Sequence, residues 1–295
     1  MKLSLLVNPL EDQHNVTDIL SSRMRMSRLM IKKIRLYGSL HVNGNPARMI
    51  DLVRSGDVIE ATFEDELEQA NVRKDCSIPI FYEDDWIIVC NKPAGIVTHP
   101  SWQHMDDSLI QRLSTGRLHP IMRLDRETSG LIVIAKNGFA HHVVSSQKMN
   151  KEYLGIVHGQ FIPQSGKIDL PIARSSDSIM IRVVSHDGQA SVTHYQTLAY
   201  QNEKGISLVS FTLETGRCHQ IRVHCQYFGH PIVGDGLYGP SSNDYPNIDL
   251  PSLAADAMID RQALHAHRLS FFHPITHEEL KFECEMPEDM QKLMR

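Results

Sequence analysis

Beyond residue 78, short apolar runs alternate with turn residues, and few of the runs have the spacing of a helix. "WIIVCN" predicts a strand over Trp86–Asn91, closed by a Lys-Pro-Ala-Gly turn. "LIVIAK" and "KEYLGIVHG" predict two further strands, with a short helix at "FAHHVVSSQKM" between them. "GKIDLPIAR", "ASVTHYQTLAY" and "ISLVSFTLETG" carry strand patterning as well. Strands follow strands through short connections. That pattern predicts an α+β domain on a mixed, mainly antiparallel sheet with flanking helices, rather than a doubly wound parallel sheet.

Two stretches have a helical period instead. In "RMRMSRLMIKKIR", Met26, Leu29, Met30 and Ile34 recur at helical spacing. The pattern predicts an amphipathic helix with a basic face made of Arg23, Arg25, Arg28, Lys32, Lys33 and Arg35, and Ser27 can cap a second helical segment. Strand-like alternation follows in "GSLHVNGNPARMIDLVRSGDVIEATF", with turns at Asn43-Gly44 and Ser55-Gly56-Asp57. The acids Glu60, Glu64, Asp65, Glu66 and Glu68 then predict a linker, with a boundary at residues 63–75. In the second stretch, "CHQIRVHCQYFGHP", Ile221, Cys225 and Phe228 form a stripe at i, i+4 and i+7, and Gly229 supplies a stop. A helix from about Cys218 fits better than a strand, with Arg222 off the stripe in its early turns.

Composition narrows the classes. The 295 residues suffice for a main core plus a smaller module, and the 41% hydrophobic content is ordinary for a globular chain. No apolar run approaches the roughly 18 residues of a membrane span. "MKLSLLVNPLEDQ" reads as a first strand rather than a signal peptide, so a cytoplasmic protein is expected. The five cysteines form no CxxC pair and read as thiols; Cys218, His219, His224 and Cys225 have the wrong spacing for zinc. A net charge of −5 means that any nucleic-acid affinity must come from local basic patches.

Candidate chemistry begins with Arg123-Leu124-Asp125-Arg126, a loop at the foot of an apolar strand. The commoner fate of such residues is a surface ion pair of small worth. A carboxylate kept ionised by neighbouring guanidinium groups can instead serve as nucleophile or base. Tyr153, opening a strand, carries no weight alone.

Together, "FYEDDWIIVCNKPAGIVTHP", "MRLDRETSGLIVIAK", "KEYLGIVHG", "TGRCHQIRVHCQYFGHPIVGD" and "LHAHRLSFFHP" resemble the pseudouridine synthases of the large-ribosomal-subunit type (RluA/RluD-like). "SRLMIKKIRLYGSLHVNG" resembles an S-four-type RNA-binding module, a small α/β unit. The resemblance implies such a module at residues 14–62, a linker at 63–75 and a catalytic domain at 76–295. It implies isomerisation of uridine in RNA: the bond from ribose to uracil nitrogen 1 is cut, and the base turns and rejoins through carbon 5. No metal, nucleotide or redox cofactor is implied. Asp125 matches the catalytic aspartate, acting either by attack on the sugar or by taking a ribose proton to give a glycal. Arg222 matches the arginine that pairs with it. Tyr153 matches the tyrosine that stacks on the base and helps at carbon 5. Arg123 lies where the family uses an arginine against the flipped nucleotide or its vacated place in the stack, and Ile221 packs beneath the site or serves equally well as plain core. Met122 stands where many members have histidine, and Cys218 replaces a common threonine or serine, which weakens a helix cap. The implied partner is RNA, ribosomal first and transfer RNA second, bound by a monomer. Two other readings stay open: an RNA-binding or ribosome-assembly factor without catalysis, and a glycoside hydrolase, whose second carboxylate would be Asp235, although closing a Gly-Asp loop is the role that its motif favours.

Overall fold

The computed structural model describes residues 2–63, 77–100, 107–240 and 254–295. The first of these segments forms a small sheet with two helices. Strands β1 (Lys2–Leu6), β2 (Gly38–Val42), β3 (Asn45–Pro46) and β4 (Val58–Phe63) lie in the order β1-β4-β2-β3, all antiparallel. Helices α1 (Val16–Ser22) and α2 (Arg28–Tyr37) pack on them through Val16, Ile19, Leu20, Met30 and Ile34. Asn43 and Gly44, with φ of 52° and 77°, make the left-handed turn that an Asn-Gly pair predicts.

The first strand expected at the start of the chain is β1, paired with β4 along its whole length. Two expectations are corrected. The basic run is not one helix: Arg23 ends α1, and Arg25 takes φ 50° in the turn before Ser27 caps α2 by accepting from Met30 N–H at 3.3 Å. Glu60 belongs to β4 rather than a linker, while Glu64, Asp65, Glu66 and Glu68 lie outside the described residues.

The second sheet has ten strands and carries the larger core. In chain order these are β5 (Ile80–Glu83), β6 (Ile87–Lys92), β7 (His119–Pro120), β8 (Ser129–Ala135), β9 (Asn150–His158) and β10 (Ser165–Asp169), then, after a separate hairpin of β11 (Ile172–Arg174) and β12 (Arg182–Val184), β13 (Val192–Gln201), β14 (Ile206–Leu213), β15 (Leu264–Phe272) and β16 (Glu279–Glu283). The main path runs β10-β13-β14-β9-β15-β8-β6-β5. Among the described residues, β15 and β8 pair in parallel and the other strand pairings in the sheet are antiparallel. Helices α3 (Leu109–Leu113), α4 (Gly138–Ser145) and α5 (Gln220–Tyr227) flank it. The fully buried run Ser129–Ala135 explains why "LIVIA" is apolar without alternation: β8 is covered on both faces. The small sheet's core continues into Phe139 and Val143 of α4, so the two units share packing.

One register places the site. Ala266 of β15 pairs with Tyr153 of β9 on one side and with Gly130 of β8 on the other. Gly130 has φ 113°, and a Cβ there would run into the Ala266 backbone. The glycine of "RLDRETSG" is therefore required by the close approach of β15. It sets the Asp125 loop level with Tyr153, across one intervening strand.

Candidate active site

The loop that bears Asp125 is tied on both sides of that residue. Thr98 Oγ1 donates to Leu124 O at 3.1 Å and accepts from Leu124 N–H at 3.2 Å. Arg126 O accepts from Gly95 N–H at 2.9 Å and from Lys92 Nζ at 3.0 Å. Lys92 is fully buried and also donates to Pro93 O and Ile96 O. Three carbonyls around one ammonium satisfy every donor it has. Burial pushes its pKa down to about 7, while the charges of Asp125 and Glu127 act the other way. The "NKPAGIVTHP" stretch is thus a clamp on the Asp125 loop.

Arg222 is the hub of the site. Its Nε and Nη2 donate to Asp235 Oδ2 and Oδ1 at 2.7 and 2.8 Å, and its Nη1 donates to Asp125 Oδ2 at 2.8 Å. The guanidinium side chain is 5% exposed and that of Asp235 0%, whereas Asp125 keeps 28% of its surface open. The Tyr238 ring lies 4.9 Å from the guanidinium carbon, within range of a cation–π contact. Burial works against the charge on Arg222, but Asp235 and then Asp125 outweigh it and push its pKa up. Asp235 is itself fixed by Leu237 and Tyr238 N–H, each at 3.0 Å. The fork geometry matters: Arg222 holds Asp235 through Nε and Nη2 and uses Nη1 to aim Asp125. With two carboxylates on one cation, the cluster keeps a net negative charge at its exposed end.

Helix α5 delivers Arg222 to this point. It begins at Gln220, not Cys218, and His219 before it adopts φ 58°. No side chain of the preceding residue caps it. Instead Gln220 ties its first turn to the start of β13, accepting from Thr215 Oγ1 and Arg217 N–H and donating to Val192 O and Thr193 Oγ1. Ile221 and Cys225 of the expected stripe face the core, whereas Phe228, just past the helix end, is exposed, and Gly229 follows at φ 78°.

A cleft of about 60 Å³ brings the sequence-predicted residues together: Arg123, Asp125, Tyr153, Ile221 and Arg222 all line it, with His219 beside them. Larger hollows exist elsewhere, one of about 490 Å³ beside Lys151 and Arg268, but Asp125 does not line that one. Burial, followed by the charge of Asp125, pushes the Tyr153 hydroxyl well above the ordinary tyrosine range, so it stays protonated at neutral pH. Ile221 is 4% exposed and belongs both to the core and to the cleft wall. Arg123 is exposed at the rim, whereas Arg126 turns away to Glu127 at 2.7 Å. Met122 packs, partly buried, against the core.

The N-terminal cations are not gathered into one face. Arg23 donates to Leu6 O at 2.7 Å and to Glu11 at 2.9 Å. Arg28, Lys32 and Arg35 are exposed along α2 at i, i+4 and i+7, Lys33 is half-buried, and Arg25 lies outside the helix.

Three residues of the site carry no role there from the chain alone: Lys92, His219 and Tyr238. Asp235 reads from the chain as closing a Gly-Asp loop or as a hydrolase's second acid. Fully buried and doubly bonded to Arg222, it cannot face a sugar as an acid. The signal was present in "GDGLYG", where an acid and an aromatic follow closely on the helix that carries Arg222.

Residues 86–227 match the family model described as RNA pseudouridylate synthase. YjbO of Bacillus subtilis, an uncharacterized RNA pseudouridine synthase, is 36% identical over 289 residues, covering 93% of this chain and 96% of the relative. A ribosomal large subunit pseudouridine synthase D from Zymomonas mobilis is 39% identical over 243 residues, covering 76% of this chain and 74% of that protein. The solved structure of human RNA pseudouridylate synthase domain containing 4 superposes with a TM-score of 0.57 at 27% identity, over 73% of this chain and 91% of that one.

Proposed function

This chain belongs to the RNA pseudouridylate synthases, and from that premise we propose that its target is a uridine of ribosomal RNA and that Asp125 acts on the target's ribose. The isomerisation cuts the bond between C1′ and uracil nitrogen 1 and makes a new one between C1′ and carbon 5. The observation that carries the residue assignment is the Asp125–Arg222–Asp235 cluster, the partly exposed end of which is Asp125.

Cutting a glycosidic bond develops positive charge at the anomeric carbon. A carboxylate with residual negative charge, held by a guanidinium that another acid already neutralises, is suited to that carbon or to the proton beside it. Water exclusion strengthens the interaction, since the rest of the cluster is buried. Tyr153 supplies an aromatic face on which a detached uracil can turn without leaving. Its protonated hydroxyl fits stacking and neutral hydrogen bonding rather than a phenolate base. Arg123, at the rim, is placed to contact the nucleotide drawn out of its stack, an extrusion that costs a few kcal/mol and least in loops.

Two observations support ribosomal RNA. The relative from Zymomonas mobilis carries that target in its name. The small N-terminal module exposes Arg28, Lys32 and Arg35 along one helix, a spacing suited to successive phosphates. We assign the grip on RNA to this module and the chemistry to the ten-stranded sheet. A pseudouridine map of all cellular RNA, compared between cells with and without the gene, tests the target. Loss of one or a few sites in large-subunit ribosomal RNA is expected; loss confined to transfer RNA would overturn it.

A further inference from the structure

Asp125 has two carboxylate oxygens, and Arg222 accounts for one. Oδ2 accepts from Arg222 Nη1 at 2.8 Å. Oδ1 faces His219 Nε2 across 3.8 Å, which is too long for a hydrogen bond. The ring on the other side of that gap is held firmly. His219 Nδ1 lies 2.8 Å from the Tyr238 hydroxyl, and that hydroxyl accepts from Arg182 N–H at 2.9 Å. The two rings meet edge to face, 5.5 Å between centroids.

Donor accounting fixes the tautomer. The Arg182 backbone can only donate, so Tyr238 oxygen accepts there. Tyr238 is 1% exposed, and its own proton has His219 Nδ1 as the partner in reach. Nδ1 therefore accepts, and the imidazole proton sits on Nε2. Burial lowers the pKa of His219, with Arg222 and Arg182 adding to the effect and Asp125 opposing it, so the ring is neutral. What faces the bare oxygen of Asp125 is thus an N–H donor, held just out of reach, inside the cleft that also holds Tyr153.

A hydroxyl oxygen set beside this gap, toward the cleft, reaches both: it accepts from Nε2–H and donates to Oδ1. On a ribose whose C1′ or C2′ lies over Asp125, the hydroxyl at that position is the one on C2′. We propose that His219 is a substrate-contacting specificity residue that recognises the ribose 2′-hydroxyl of the target uridine, donating to it from Nε2 while that hydroxyl donates to Asp125. This assignment rests on the reading of Asp125 given above. It accounts for a left-handed residue at the start of α5: φ 58° turns the ring back over the cleft. It also supplies a contact that only ribose can make, the feature by which a protein distinguishes RNA from DNA at one nucleotide.

The test uses a large-subunit ribosomal RNA transcript with tritium at carbon 5 of its uridines, and the same transcript made with 2′-deoxyuridine throughout. Tritium release gives kcat/KM for the wild type, His219→Asn and His219→Gln on each. Asparagine tolerates a left-handed backbone and reproduces the Nδ1 contact, but has no donor at the Nε2 position. Glutamine restores a donor there. On the ribose transcript His219→Asn is expected to lose about tenfold or more, the worth of one hydrogen bond in a buried, charged setting. On the 2′-deoxy transcript it should match the wild type, so the preference for ribose collapses in this variant and is regained in His219→Gln. Equal losses on both transcripts, with each variant folded by circular dichroism, would overturn the assignment and leave Asp125 intact. Wild-type release from neither ribosomal nor transfer RNA would overturn the functional reading and His219 with it.

Discussion

The molecule carries two collections of charge built on opposite terms. Around Arg222 the charges are buried, touching and saturated: Asp235 is 0% exposed and Arg222 5%. Along α2 they are exposed and spaced by a helical turn, and Arg28, Lys32 and Arg35 point to solvent. In the first setting the local dielectric is low, each partner depends on the other, and removing one leaves a bare charge. In the second, water and salt screen each cation, and each contributes by itself. The contrast matches two tasks. Chemistry at one carbon needs a single geometry; holding a polyanion needs many weak, interchangeable contacts.

Asp125→Asn should have the largest effect, because it removes the group we propose to act on the ribose and leaves the Arg222–Asp235 pair in place. Tritium release from uridine-labelled RNA is expected to fall by about a thousandfold or more, with little change in melting temperature. Near-normal turnover in a folded Asp125→Asn enzyme would break the comparison at its strongest point. Asp235→Asn is the informative second case. It never touches substrate, yet it halves the fork that aims Asp125. We expect a loss of about 3–5 kcal/mol in stability by denaturant titration, as for a broken buried pair, together with a fall of about a hundredfold in kcat at unchanged KM. A drop in stability without a drop in kcat would reduce Asp235 to a packing residue.

Tyr153 sharpens the buried side of the contrast through pH. Its pKa is raised by burial and by Asp125, so the neutral phenol prevails throughout the neutral and mildly alkaline range. A reaction needing the phenolate would accelerate about tenfold per pH unit there, following the growing ionised fraction. The expected profile is flat in that respect from about pH 7 to 9. Tyr153→Phe should keep its grip on the base, whereas Tyr153→Leu should lose about tenfold or more in kcat/KM with the stacking face.

The same contrast explains what could be read from the chain. Apolar runs bounded by turn residues located β6, β8 and β9, and a helical stripe with a glycine stop located α5, because burial on a regular element leaves a trace in the chain. Asp125, Tyr153 and Arg222 were legible through the stretches that hold them. Their partners were not. Nothing local marks Lys92 as buried beneath the Asp125 loop, since a lysine before proline looks like any turn lysine; two of its carbonyl acceptors lie in its own turn, but the third, Arg126 O, is brought to it only by the fold. His219 took its place through a left-handed φ that no pattern of side chains announces. Asp235 looked like a loop acid because its burial is set by α5 folding over it. On the exposed side the error ran the other way. The cations from Arg23 to Arg35 formed one tidy run in the chain, yet the turn at Arg25 splits them, and Arg23 is engaged with Glu11 and Leu6 O.

That split yields the smallest and most discriminating expectation. If α2 holds phosphates through independent contacts, Arg28→Ala, Lys32→Ala and Arg35→Ala should each raise KM only about two- to threefold near physiological salt, with kcat unchanged. Each should also flatten the dependence of log affinity on log salt by about 0.7 to 0.9, the contribution of one released counterion. Their effects should multiply when combined, because the side chains share no partners. Arg23→Ala should behave differently: with its guanidinium on Glu11 and Leu6 O, it should perturb stability slightly and leave the salt slope unchanged. An identical salt response for Arg23 and Arg28 would mean that the Glu11 contact opens on RNA binding, and the module would then present its cations as the unbroken face that the bare sequence suggests.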